Sequence, residues 1–88
     1  MAKVFVALGD EHRQRIVLTF EKGERLTVGQ ISQVSTLSRP AVSHHLKILR
    51  AAGVLEAEKE GKEVYLRINK ALLDDTLRTV LDYVRQEA

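Results

Sequence analysis

The chain has 88 residues, of which 30% are charged and 44% hydrophobic, and a net charge of +2. That is the make-up of one soluble globular domain with a modest core, one that a partner subunit would help to stabilise. It excludes a disordered segment and a membrane span of ~20 apolar residues, and the absence of cysteine excludes disulfides, thiolate nucleophiles and thiolate metal ligands.

The opening stretch MAKVFVALGD is apolar for only five residues after Lys3, too short for a signal-peptide core, so the expected compartment is the cytoplasm. Val4, Phe5 and Leu8 predict a short first helix ending at Gly9. Asp10 can cap a second helix that turns Ile16, Val17 and Phe20 inward, and the polar run EKGER at 21–25 closes it. Thr27 and Gln30 have the spacing of a capping box, with Leu26 and Ile31 as the hydrophobic staple around it. Val28, Ile31 and Val34 then form a short third helix, and Ser35-Thr36-Leu37 is a tight turn.

Ser38 can cap a fourth helix, with Pro40 in its first turn, where a missing N–H costs nothing. That helix runs to about Ala52, and Gly53 suits the left-handed residue that follows a helix end. Leu55 and Ala57 alternate with Glu56 and Glu58. After Glu60-Gly61-Lys62, Val64, Leu66 and Ile68 alternate with Tyr65 and Arg67, which predicts a β-hairpin. Asn69 can cap a last helix with Leu73, Leu77, Val80 and Val84 on one stripe. The expected fold is mainly α with a small β-hairpin, in the order α-α-α-α-β-β-α, filling residues 1–88 as one domain.

Charge is unevenly spread over these elements. From Leu26 to Leu55 there are three basic side chains and no acid, while the other fifty-eight residues hold eleven basic residues against twelve acids. A basic helix that follows another short helix across a three-residue turn is a helix-turn-helix, and a hairpin directly after it makes a winged helix. A local basic patch on a helix is the electrostatic footprint of a nucleic-acid reader.

LGDEHRQRI at 8–16, SRPAVSHHLKILRAAGVL at 38–55 and GKEVYLRI at 61–68 resemble the arsenical-resistance-repressor (ArsR) family of bacterial winged-helix regulators. The most specific part is Ser43-His44-His45-Leu46, followed by Leu49 and Ala52-Gly53. The resemblance covers nearly the whole chain. It implies a homodimeric repressor whose first and last helices form the dimer interface and whose fourth helix enters the major groove at each half of an inverted repeat in double-stranded DNA. The interface residues expected on those helices are Val4, Phe5, Leu8, Leu73, Leu77, Val80 and Val84.

Family members that sense metals use a cysteine pair near the third helix, or aspartate and histidine on the last one. This chain has no cysteine, and its last helix offers Asp74, Asp75, Asp82 and Glu87 without a histidine. Those acids are read as a solvated helix face, because a borderline metal prefers nitrogen or sulfur ligands. No metal and no cofactor is therefore expected, and the inducer, small molecule or protein, stays open.

At ~100° per residue, Val42, Leu46, Leu49, His45, Ala52 and Ile48 fall on the buried side of the fourth helix. Pro40, Ser43, His44, Lys47 and Ala51 fall opposite, flanked by Arg39 and Arg50. Ser43 and His44 have short polar tips suited to base edges, and Arg39 suits a guanine or a phosphate. Lys47 and Arg50 suit phosphates, which position the helix without reading sequence. Ser38 is first a helix cap, with neighbouring N–H groups that can hold another phosphate. His44 competes with the plainer assignment of a solvated side chain, and His45 is expected to be a partly buried, hydrogen-bonded histidine. In the wing, Lys59 and Lys62 can reach DNA, but Glu56, Glu58, Glu60 and Glu63 leave residues 56–63 at net −2, which repels phosphate.

Two rivals differ in class. A winged helix used only for protein contact explains the acidic wing but not the acid-free helix. An enzyme needs a nucleophile–base–acid set that three histidines, with no cysteine and no glycine-rich phosphate loop, do not supply. His12 is read as a surface residue of the second helix.

Overall fold

The computed structural model describes residues 1–87. The elements are α1 (Ala2–Leu8), α2 (Glu11–Thr19), β1 (Arg25–Leu26), α3 (Val28–Val34), α4 (Arg39–Ala51), β2 (Leu55–Glu60), β3 (Glu63–Ile68) and α5 (Lys70–Glu87). The four caps read from the sequence are in place. The Asp10 carboxylate accepts from the backbone N–H of His12 (2.8 Å) and Arg13 (3.1 Å), which holds its pKa below the usual carboxylate value. Thr27 and Gln30 form the reciprocal capping box. The Ser38 hydroxyl accepts from Ala41 N, and Asn69 Oδ1 accepts from Leu72 N. Each uses a short side chain to satisfy a donor that the first turn of a helix leaves free.

One strand was not anticipated. Arg25 and Leu26 pair antiparallel with Arg67 and Leu66, so the hairpin grows into a three-stranded sheet in the order β1-β3-β2. The end of the EKGER run is thus an edge strand rather than the close of α2, which stops at Thr19. Two residues show no alternation, and only the distant partner strand defines them. The hairpin itself has the expected register, Leu55↔Ile68 to Glu60↔Glu63, around a Gly61-Lys62 turn in which Gly61 has φ 61°. Gly53 likewise takes φ 81° just after α4, where only glycine avoids strain.

The core gathers Val4 and Ala7 of α1, Ile16 of α2, Ile31 of α3, Val42, Leu46 and Leu49 of α4, then Val54, Leu55 and Leu66. Leu72 and Leu73 pack on its edge, and Thr76 is the last buried residue of α5. Beyond it α5 leaves the body, and the described residues extend 47 Å along the long axis but only 25 and 21 Å across it. Leu77, Val80, Leu81 and Val84 are 46%, 37%, 44% and 50% exposed on that free segment, apolar area that the chain itself does not cover.

Three residues expected at a dimer interface are instead taken up by the chain's own core. Val4, expected at a dimer interface, is only 3% exposed and fills the chain's own core. Leu8 and Leu73, assigned the same role, are half-buried against that core as well. Helix α3 ends at Val34 as expected, and Val34 is 68% exposed there.

Candidate nucleic-acid interface

Helix α4 is built from its apolar stripe outward. Val42, Leu46 and Leu49 are essentially inaccessible, and Ile48 and Ala52 pack on the core beside them. This spacing leaves Ser38, Arg39, Pro40, Ser43, His44, Lys47, Arg50 and Ala51 exposed, the side on which the sequence places them. Ser38 stands just before the helix as its cap, and Pro40 is in the first turn.

The charges on this face are free. Among the described residues no acid lies within ion-pair distance of Arg39, Lys47 or Arg50. Arg39 shares a shallow groove with Glu63, Val64 and the N-terminus of α3. An unpaired, fully hydrated cation can exchange its counterion for a phosphate without first breaking a protein contact. The dipole of α4 adds partial positive charge at its N-terminus, beside Arg39.

The wing is arranged otherwise. Strand register puts Arg25, Arg67, Tyr65, Glu56, Glu58, Glu60 and Glu63 on one face of the sheet. There Arg25 pairs with Glu60 and, at 3.6 Å, with Glu58, and its guanidinium lies 4.1 Å from the centre of the Tyr65 ring. Arg67 approaches Glu58 at 3.9 Å. Lys59 stands opposite Val64 on the other face, and Lys62 is at the turn; both are exposed.

The two adjacent histidines differ as their angular separation requires. His44 is exposed. His45 is half-buried, and its Nδ1 lies 3.2 Å from Arg13 Nη1. Desolvation there pushes the His45 pKa below the ordinary histidine value, against a smaller opposing pull from Asp10. His12, read as a plain surface residue, is half-buried with its ring 5.8 Å from that of His45. Arg13 itself was not singled out from the sequence. Its partners lie at separations of 6, 7 and 32 residues, which no local pattern reports.

The acids of α5 behave as a solvated face. Asp74 pairs with Arg78 one turn on, at 3.0 Å, and both side chains are exposed. Among the described residues no group of three or more His, Cys, Asp or Glu side chains converges to hold a metal ion. Among the described residues no helix is long and apolar enough to cross a membrane.

Comparison with known proteins agrees with this geometry. The sequence pattern of the bacterial regulatory proteins of the arsR family matches residues 10–57. The transcriptional repressor SdpR of Bacillus subtilis (strain 168) is 34% identical over 98% of this chain and 94% of its own length. The arsenic resistance transcriptional regulator ArsR1 of Pseudomonas putida is also 34% identical, over 90% of this chain, but the match spans only 64% of that protein. A solved ArsR-like transcriptional regulator from Rhodococcus sp. RHA1 superposes with a TM-score of 0.85 at 32% identity, covering 97% of this chain and 79% of the other. A winged helix with free cations on its second helix-turn-helix element, matched along nearly its whole length by such proteins, belongs to the arsR family of DNA-binding transcriptional regulators and is not an enzyme.

Proposed function

We propose that the protein is a homodimeric repressor that binds an inverted-repeat operator, with α4 of each subunit in the major groove. The observation that carries this reading is the set of three exposed cations on α4, set around Ser43 and His44, with no acid partner among the described residues. Ser43 and His44 meet base edges; Arg39, Lys47 and Arg50 meet phosphates. Ser38 caps the helix and offers its neighbouring N–H groups to a further phosphate. Lys59 and Lys62 contribute little, because the sheet that carries them is acidic. Repression as the sign of regulation is supported by SdpR, a named repressor matched over almost its whole length.

Dimerisation is supported by the apolar surface that α5 leaves uncovered. Leu77, Val80 and Val84 keep the role expected for them, and Leu81 joins them because it is exposed beside the same stripe. From α1, Phe5 is 38% exposed and Val6 68%, so these two replace Val4 and Leu8 as the side chains that reach a partner.

Selection of bound sites from random-sequence DNA, with sedimentation of the free protein, tests both halves of this reading. The expected product is an inverted repeat whose half-site centres lie about one DNA turn, ~34 Å, or a small multiple of it apart. Leu77→Glu and Val80→Glu should sediment as monomers and lose the selected site together. Recovery of unrelated sequences, or variants that stay dimeric, would overturn the corresponding half.

A further inference from the structure

All three histidines of the chain meet at one place. His12 on the first turn of α2, His45 and then His44 on α4 form a row, with ring centroids 5.8 Å apart at each step. Arg13 lies alongside this row and spans three helices. Its Nε donates to the Ala7 carbonyl at 2.6 Å, its Nη2 to the Val6 carbonyl at 3.3 Å, and its Nη1 to His45 Nδ1 at 3.2 Å. The two carbonyls belong to the last turn of α1, where a helix runs short of internal donors; Val6 O also accepts from the cap N–H of Gly9 at 3.2 Å. Asp10 anchors the same residue from its backbone, through Arg13 N. A single guanidinium therefore ties the end of α1 to the middle of α4.

A guanidinium carries donors only, so His45 Nδ1 must accept. That demands a neutral ring with its hydrogen on Nε2. It also explains why the two neighbouring histidines differ: one is open to solvent and the other is held by a cation.

We propose that Arg13 and His45 form a positioning strut that fixes the angle of the recognition helix α4 to α1, and so serve DNA binding without touching DNA. The proposal rests on the reading of α4 as the groove-entering helix and of α1 as part of the dimer interface. Two recognition helices must enter grooves at a set separation, so an error in the angle between interface and reading helix is repeated in both subunits. Lysine cannot substitute at the junction. Its ammonium is a point donor on a flexible stem, whereas the guanidinium fork reaches three acceptors from one rigid plane.

The strut has a built-in acid limit. Protonation turns His45 Nδ1 into a donor facing a cation, and the bond is lost. The charged and titratable groups around His45 are Arg13, His12 and Asp10 from α2 and its cap, and His44 from α4; α1 faces the Arg13 fork with the Val6 and Ala7 carbonyls. Burial lowers the His45 pKa, Asp10 opposes this, and Arg13, His12 and His44 add to it. The folded chain therefore favours the neutral ring. The strut is intact above the ordinary histidine pKa of about 6.5 and opens as pH falls below it, through the lowered value.

The test uses the full chain with two probes: the duplex that the wild type selects from random DNA, and a scrambled duplex of equal length. Arg13→Lys keeps the charge and removes the fork. We expect it to lose specific affinity about tenfold or more, the cost of breaking hydrogen bonds to a charged donor, while its affinity for the scrambled duplex changes little. His45→Asn keeps an acceptor oxygen near the Nδ1 position and cannot titrate. It should retain most of the specific affinity, and the ratio of specific to scrambled affinity should stay flat as pH is taken from about 7.5 to well below the ordinary histidine value, where the wild-type ratio falls. Undiminished specific binding by Arg13→Lys overturns the strut, and so does an equal loss on both duplexes, which would make Arg13 a phosphate contact. If Arg13→Lys does not fold, the His45→Asn pH profile decides: a profile like the wild type's rejects the proposal. A wild type that selects no duplex fails the operator reading instead, and the strut's service to DNA binding falls with it.

Discussion

Helix α4 and the β2–β3 wing both stand in solvent and both carry positive side chains, yet their charges are arranged in opposite ways. On α4, Arg39, Lys47 and Arg50 have no acid within ion-pair distance among the described residues. On the sheet, Arg25 and Arg67 are engaged by Glu58 and Glu60, and Glu56 and Glu63 share the same face. The difference teaches that net charge, +2 for the chain, is the wrong quantity to read. What matters to a polyanion is how many cations it can meet without displacing a carboxylate. Exposed ion pairs contribute little to stability, so the Arg25–Glu58–Glu60 group is better read as shaping the wing than as holding it together.

If that contrast is right, changes on α4 should dominate. Lys47→Gln with Arg50→Gln removes four phosphate contacts from a dimer and should weaken operator binding about 1000-fold near 0.15 M salt, with an unchanged melting temperature. Retention of binding in a gel-shift titration would place the footprint elsewhere. His44→Ala should come next, with a loss of about 1–3 kcal/mol per half-site and no change in thermal stability. Its neighbour should do the reverse. His45→Ala should lower stability by roughly 1–3 kcal/mol in denaturant titrations, because it leaves the Arg13 donor unpaired, and its specific DNA affinity should fall through the lost strut rather than through a lost base contact. The opposite pattern would mean that the phase of α4 is misplaced by about one residue. At the bottom of the scale, Lys59→Ala and Lys62→Ala should each change affinity less than about fivefold, the worth of a single phosphate contact at that salt. A larger effect would bring the wing into the interface and weaken the contrast.

How much of this the sequence discloses depends on how local the signal is. The caps at Asp10, Thr27, Ser38 and Asn69 were legible because each side chain bonds its own helix within three residues. The phase of α4 was legible because Val42, Leu46 and Leu49 recur at helical spacing, and this alone separates His44 from His45. Strand β1 was not, since two residues carry no period and their pairing with Leu66 and Arg67 is a long-range event. Val4 is expected at a partner surface but fills the chain's own core, because apolarity shows that a residue can be buried but not which surface covers it. Arg13 was invisible for the same reason, as its role comes from three helices meeting around it.

The central claim is that free cations on α4, and not the wing, supply the electrostatic attraction to DNA. The most direct test is the slope of log affinity against log salt for the selected duplex. Six phosphate contacts from Arg39, Lys47 and Arg50 of two subunits give a slope near −5, and the Lys47→Gln, Arg50→Gln variant should reduce it to about −2. A wild-type slope near zero, or one that the double variant leaves unchanged, would contradict the account.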